Sequence, residues 1–244
     1  LKNIISKLMF KIRSETLLIQ SFYIIISFSF LIYLIGFKSL NPFNLDWLLT
    51  NDQVSELIGW LDYKNSNFSF PLGNFEKPGL GQSSIIYHGT VPLFALFFKI
   101  FFSYLDNFQY FSFWIFICIY LQGFLSFLIL KKFTDKNLTC LIGSIFFIIS
   151  PILIFRIGVH LSLSAHWLIL LYYLNHLNNG KNYHLNNILI IAIASGIHFY
   201  FAAILLLINT IYYFLYFKKS FFIKYILINL SFLSLVMFSL GYFV

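Results

Sequence analysis

The sequence predicts an all-α fold: a polytopic bundle of membrane helices with one long polar loop after the first span. Three observations carry this. Hydrophobic residues make up 60% of the chain and charged residues only 10%, with a mean hydropathy of +0.85, whereas a soluble domain covers itself with roughly a quarter charged residues. Apolar runs of about the length that crosses a bilayer recur along the chain. The 16 basic residues cluster mainly at the ends of those runs rather than in one patch. That is the positive-inside arrangement, so the net charge of +8 points to the lipid bilayer as partner and not to nucleic acid.

A single membrane domain is expected over residues 1–244. Within 1–16, Ile4, Ile5, Leu8 and Met9 recur at helical spacing among Lys2, Lys7, Lys11 and Arg13, which predicts a cytoplasmic amphipathic segment on the inner membrane face. Residues 17–37 form the first span. They exceed the core of a signal peptide and no small-residue cleavage site follows, so the span is an uncleaved anchor with the N-terminus in the cytoplasm. Residues 38–84 hold five of the eight acids, Asp46, Asp52, Glu56, Asp62 and Glu76. Their acidic balance suits an outer loop, with turns at Pro71, Gly73, Pro78, Gly79 and Gly81. The apolar run 91–104 is short for a crossing and carries Lys99, and if it crossed, Lys131 and Lys132 would lie outside. A re-entrant or interfacial helix is therefore expected there.

The remaining spans occupy 108–244. Runs 108–130 and 138–155 flank the basic group Lys131, Lys132 and Lys136, and 161–177 returns to a cytoplasmic turn with Lys181 and His184. The 31 residues 187–217 are read as two short helices turning near Ser195, Gly196 and His198, because that keeps Lys218, Lys219 and Lys224 inside. Residues 221–244 form a last outward run. The chain begins with Leu and its last run stops abruptly, so truncation at one or both ends is expected. Cys118 and Cys140 lie in apolar runs as small fillers, not as a disulfide framework or a zinc knuckle.

On this topology the outer side gathers the acidic loop with Arg156, His160, His166 and His198. An arginine at membrane depth costs roughly 2.5 to 3.5 kcal/mol on insertion scales, so a retained one marks function by default, the alternative being a side chain that snorkels to headgroups. On a continuous helix, Arg156 and His160 would share a face at i and i+4. The six-residue step from His160 to His166 does not fit a helical zinc site. A magnesium or manganese site using Asp52 or Glu56 with a substrate phosphate stays open. Asp52 stands ahead of a helix over 54–63, with Glu56 one turn on. Its bland reading is a helix cap, its functional one a catalytic base.

Several motifs carry a resemblance. They are Gly59-Trp60, Phe70-Pro71-Leu72-Gly73, Ser84-Ile85-Ile86-Tyr87, Val91-Pro92-Leu93-Phe94-Ala95, Arg156 with Gly158 and His160, Ala165-His166-Trp167-Leu168-Ile169-Leu170, and His198-Phe199-Tyr200. Over about 40–205 the chain resembles an uncharacterised family of bacterial multi-spanning membrane proteins grouped with the GT-C glycosyltransferase superfamily. The resemblance implies a GT-C-like bundle in the bacterial inner (plasma) membrane that moves a sugar from a polyprenyl-phosphate donor to a glycan or lipid acceptor on the outer face. It places a base or metal partner at Asp52. Glu56 is the second catalytic candidate, and Arg156, His160, His166, His198, His88 and Trp60 are candidates for substrate binding. Where relatives are expected to carry an acid after Tyr87, this chain has His88-Gly89. The competing expectations are a lipid-linked glycan transporter or flippase using the same cationic pocket, and a non-catalytic membrane scaffold.

Overall fold

The computed structural model describes residues 2–77, 79, 81–178, 183–216 and 219–243, with backbone alone at 2–15, 183 and 219. The amphipathic side chains before residue 16, Pro78, Lys181 and Lys218, which the sequence argument used, lie outside the described residues, as does the side chain of Lys219.

Helix α1 (Lys2–Ile35) runs without a break, and its apolar stretch Thr16–Ile35 is long enough to span a bilayer. The segment after it is not a simple loop. It holds α2 (Gln53–Asn65), then an antiparallel hairpin of β1 (Asn74–Lys77) and β2 (Gly81–Ser84), then a 3-10 turn at Ile85–His88. The hairpin corrects the all-helical expectation: Pro71 and the glycines punctuate two short strands whose alternation is too brief to read from sequence. Helix α3 (Pro92–Phe102) has only 11 residues, about 16 Å of rise against the ~30 Å of a bilayer core. Its Lys99 turns back to Ser66 Oγ, 2.9 Å away, in the segment after α2.

Helix α4 (Phe111–Leu130) is the hub of the bundle, packed against α1, α5 (Asn137–Ile148) and α7 (Trp167–Asn178). Trp114, Ile115, Cys118 and Ile119 form its buried core, and Cys118 and Cys140 are free thiols within it. The run expected as one span over 138–155 is two helices. Pro151 begins α6 (Pro151–Val159) at a 40° bend, because proline holds Ser150 extended and ends α5 before it. The run expected over 161–177 begins with a 3-10 turn at Leu161–Ser164 and becomes α-helical only at Trp167. Helices α8 (Tyr183–Ile197) and α9 (Phe199–Tyr216) are separate elements that break at His198, and α10 (Lys219–Ser239) follows.

Helices α1, α4, α9 and α10 contain stretches long and apolar enough to cross a membrane, and the bent pair α5 and α6 makes a fifth candidate. Leu18, Ile25 and Tyr33 on α1, Leu207 and Phe214 on α9 and Leu235 on α10 are exposed apolar side chains that only lipid would cover. Within the bundle, Tyr172 donates to Asn209 Oδ1 at 2.7 Å and Asn187 to the same oxygen at 3.1 Å, while Asn209 Nδ2 is buried without a partner among the described residues.

Hydrogen bonds tie the ends of α4, α6 and α10 to the segment 36–90. Gln109 N–H donates to Pro42 O at the start of α4, Gln53 Nε2 to Ile157 O near the end of α6, and Leu72 N–H to Ser239 O at the end of α10. Tyr242 OH donates to Ser195 O beside the α8–α9 break. Lys131 and Lys136 lie at the other end of α4, in the turn to α5. The helix breaks and the polar segment therefore form one layer, and the candidate residues lie in it.

Candidate functional site

Asp52 stands at the N-cap position of α2, but its side chain makes no cap bond. Its Oδ2 instead lies 3.4 Å from His160 Nε2. The other ring nitrogen, Nδ1, lies 3.4 Å from Glu56 Oε1. One imidazole therefore bridges two carboxylates, one exposed and one enclosed: the Asp52 side chain is 57% exposed and Glu56 1%. Both separations are at the long end for hydrogen bonds.

The bridge exists because α6 stops. His160 N–H closes the last turn on Arg156 O at 2.8 Å, and His160 itself has extended backbone (φ −134°, ψ 97°). Its ring swings away from the α6 face toward α2, which corrects the expectation that Arg156 and His160 share a helical face. The chain then turns so that Leu161 N–H donates to Glu56 Oε1 at 3.0 Å.

Glu56 belongs to the buried stripe of α2, with Gln53, Trp60 and Tyr63. Gly89 closes the site from the other side in a left-handed conformation (φ +66°), and a Cβ there would come within 3.1 Å of Glu56 Oε1. Glu56 Oε2 is buried with no hydrogen-bond partner among the described residues. Burial pushes the Glu56 carboxyl up from 4.5 to about 7, against the opposing pull of His160 and the Leu161 N–H. The hydrogen bond to Glu56 raises His160, opposed by its partial burial. Both groups are thus shifted toward their protonated forms, and they are coupled through the contact between them.

Replacing Gly89 by Ala adds a Cβ to a backbone conformation that costs an L-residue about 1 kcal/mol or more and crowds Glu56. We expect Gly89→Ala to lower the midpoint of thermal unfolding in detergent, and an unchanged midpoint would show that the turn relaxes freely.

Arg156 lies in α6 with its guanidinium 5.8 Å from the Phe155 ring, and it makes no ion pair among the described residues. Its charge reaches the neighbouring histidines. Burial lowers His166, and Arg156 adds to that. Burial lowers His198 to about 4, with smaller contributions from His160 and Arg156. His198 Nδ1 accepts the Tyr200 N–H at 3.2 Å, and His166 packs edge-on against Phe201.

Trp60 and His88 sit elsewhere in the packing. Trp60 is fully enclosed, with its indole N–H donating to Phe108 O at 2.8 Å, so it anchors α2 to the start of α4 and cannot meet a substrate as expected. His88 fills the notch that Gly59 leaves on α2, where any Cβ would collide with it, and its Nε2 lies 3.3 Å from Ser83 Oγ. It packs α2 against the hairpin. No group of three or more His, Cys, Asp and Glu side chains among the described residues converges as a metal site. Asp52 and Glu56 present oxygens, but His160 stands between them.

Fold and site together define a polytopic membrane protein in which an Asp–His–Glu chain links α2 to the end of a broken helix. The chain belongs to the DUF6311 family, a domain of unknown function whose model matches residues 24–244. No curated protein and no solved structure matches it.

Proposed function

We propose that this protein is a membrane glycosyltransferase of GT-C type, which moves a sugar from a polyprenyl-phosphate donor to a glycan or lipid hydroxyl. The observation that carries the reading is an exposed aspartate that forgoes its helix-capping bond and is backed by an imidazole and a buried carboxyl. In this reading Asp52 takes the proton of the acceptor hydroxyl as that oxygen attacks the anomeric carbon. The bond from that carbon to the phosphate oxygen breaks, and polyprenyl phosphate leaves. His160 holds Asp52 in place and steadies its charge, while Glu56 fixes the imidazole. Arg156, free of carboxylate partners among the described residues, meets the departing phosphate as negative charge develops. His166 and His198, both held toward the neutral form, lie near Arg156 and offer hydrogen bonds rather than charge. A divalent ion bound by the donor phosphate and Asp52 is compatible with this chemistry, and no step here depends on one.

Lys131, Lys132 and Lys136 at the far end of α4 support an orientation with the site on the outer side of the bacterial plasma membrane and the N-terminus in the cytoplasm. The test is the full chain in lipid nanodiscs, given labelled polyprenyl-phosphate sugars and a membrane-lipid and glycan extract as acceptor. Release of labelled polyprenyl phosphate is expected. Donor binding without release would favour a transporter, and neither would favour a scaffold.

Arg156 can be tested on its own. Lysine keeps the charge but loses the two-pronged contact, so Arg156→Lys should weaken donor binding modestly and Arg156→Ala severely. Equal donor affinity in wild type and Arg156→Ala would remove the phosphate role and leave the snorkelling one.

A further inference from the structure

A cavity lies at the other end of α2 from Asp52. It is an open cleft of about 880 Å³ between the segment after α2 and the hairpin β1–β2, at the large end of small-molecule sites and roomier than one sugar ring needs. Its chemistry is unusual for a membrane protein. Asn65, Asn67, Ser69, Gln82 and Glu76 offer amide, hydroxyl and carboxylate groups, and Phe70 presents an exposed ring. Among the described lining residues Glu76 and Lys77 are the charged pair, and their charges offset.

The walls are built rather than loose. Glu76 and Gln82 are cross-strand partners in the hairpin register, which sets a carboxylate and an amide side by side on one exposed face. The opposite face carries Phe75, whose ring lies against His88. Tyr63 OH donates to Leu72 O at 2.6 Å and Ser69 Oγ to Asn74 O at 3.2 Å, tying the connecting segment down. Lys99 reaches up from α3 to donate to Ser66 Oγ, with its ammonium 4.1 Å from the Tyr63 ring centroid and 4.7 Å from that of Phe68. A buried cation on the membrane side thus clamps the lip of the cleft.

We infer that this cleft binds a short neutral oligosaccharide. Hydroxyl groups both donate and accept, and paired amides with a carboxylate match vicinal hydroxyls in both senses. An aromatic ring offers its face to the C–H side of a sugar. A lipid tail would need apolar walls; a peptide pairing with an outer edge of the two-stranded hairpin, or an anion drawn to Lys77 and Lys99, is the rival occupant that triglycine and phosphate test below. The inference is independent of the transferase reading, since a transporter or a scaffold could carry the same site.

The test is calorimetric titration of the full chain in nanodiscs with neutral trisaccharides of glucose, N-acetylglucosamine and mannose, beside triglycine and inorganic phosphate. Saturable binding of at least one trisaccharide is expected. It should weaken by about tenfold or more in Phe70→Ala and in Gln82→Ala, the scale of one lost ring or hydrogen-bond contact, and remain in Asp52→Asn. Both positions are exposed, Phe70 packing edge-on against Phe238 of α10, so an unchanged thermal midpoint of Phe70→Ala accompanies the binding result. Failure of all three sugars to bind, binding unchanged in both variants, or stronger binding of triglycine or phosphate would each overturn the inference. Turnover in the donor assay does not enter this result, so the two readings fail separately.

Discussion

Replacing Asp52 with Asn is expected to leave donor binding intact and to lower turnover by at least the ~10²-fold that a lost general base costs. The substitution suits the geometry. Asparagine keeps the size of the side chain, so His160 keeps a neighbour at its Nε2, and α2 loses no cap because the Asp52 side chain makes none. Stability should therefore change little, and a fall in turnover would report chemistry. Pre-steady-state release of labelled polyprenyl phosphate, with donor binding measured in parallel, separates the two quantities. Unchanged turnover would move the base elsewhere. Glu56 is a poor substitute, since its carboxyl is 1% exposed and an acceptor hydroxyl could not reach it without opening the packing around α2.

The second large effect is on stability against pH. Glu56 is held above its ordinary value, at about 7 against 4.5, chiefly by burial. The fold therefore favours the protonated form. Its contribution is complete below pH 4.5, is lost as pH rises toward 7, and amounts to about 3 kcal/mol across that window. His160 is also raised, by its hydrogen bond to Glu56, so its contribution is present below its unfolded value of 6.5 and is lost as pH rises through its folded one. Both groups act in the same direction. Thermal unfolding in detergent should show the midpoint falling from pH 5 to pH 8, and Glu56→Gln should remove most of that slope, because an amide keeps the acceptor for Leu161 N–H without a charge to bury. Parallel slopes in the two proteins would mean that water reaches the carboxyl.

The helices α1, α4 and α10 were legible in hydropathy, because each must match the thickness of a bilayer core, whereas α9 was separated from α8 only by the lysines that follow it. The breaks were harder. Pro151 marks the bend between α5 and α6 in plain view, yet an apolar run over 138–155 reads as continuous when only hydropathy is followed. The hairpin escaped because two four-residue strands need partners, not periodicity, to form.

In the site, Asp52 and His160 could be singled out by their residue types and setting, but the link between them could not. It depends on α6 stopping at Val159, a boundary that shifts easily by a residue or two. The burial of Glu56 did have a signal. It falls on the same stripe as Gln53, Trp60 and Tyr63, at spacings of three and four, which is the face a short amphipathic helix turns inward. Trp60 misled for a related reason, since an aromatic residue in a polar segment reads as exposed until the start of α4 is known to cover it.

The central claim is that Asp52, His160 and Glu56 act as one proton-accepting unit. A double-mutant cycle on turnover, using Asp52→Asn, His160→Gln and the combination, tests it most directly. If His160 works through Asp52, each single change should slow turnover strongly, and the double variant should be little slower than Asp52→Asn alone. Losses that multiply, or a His160→Gln protein as fast as wild type, would contradict the account.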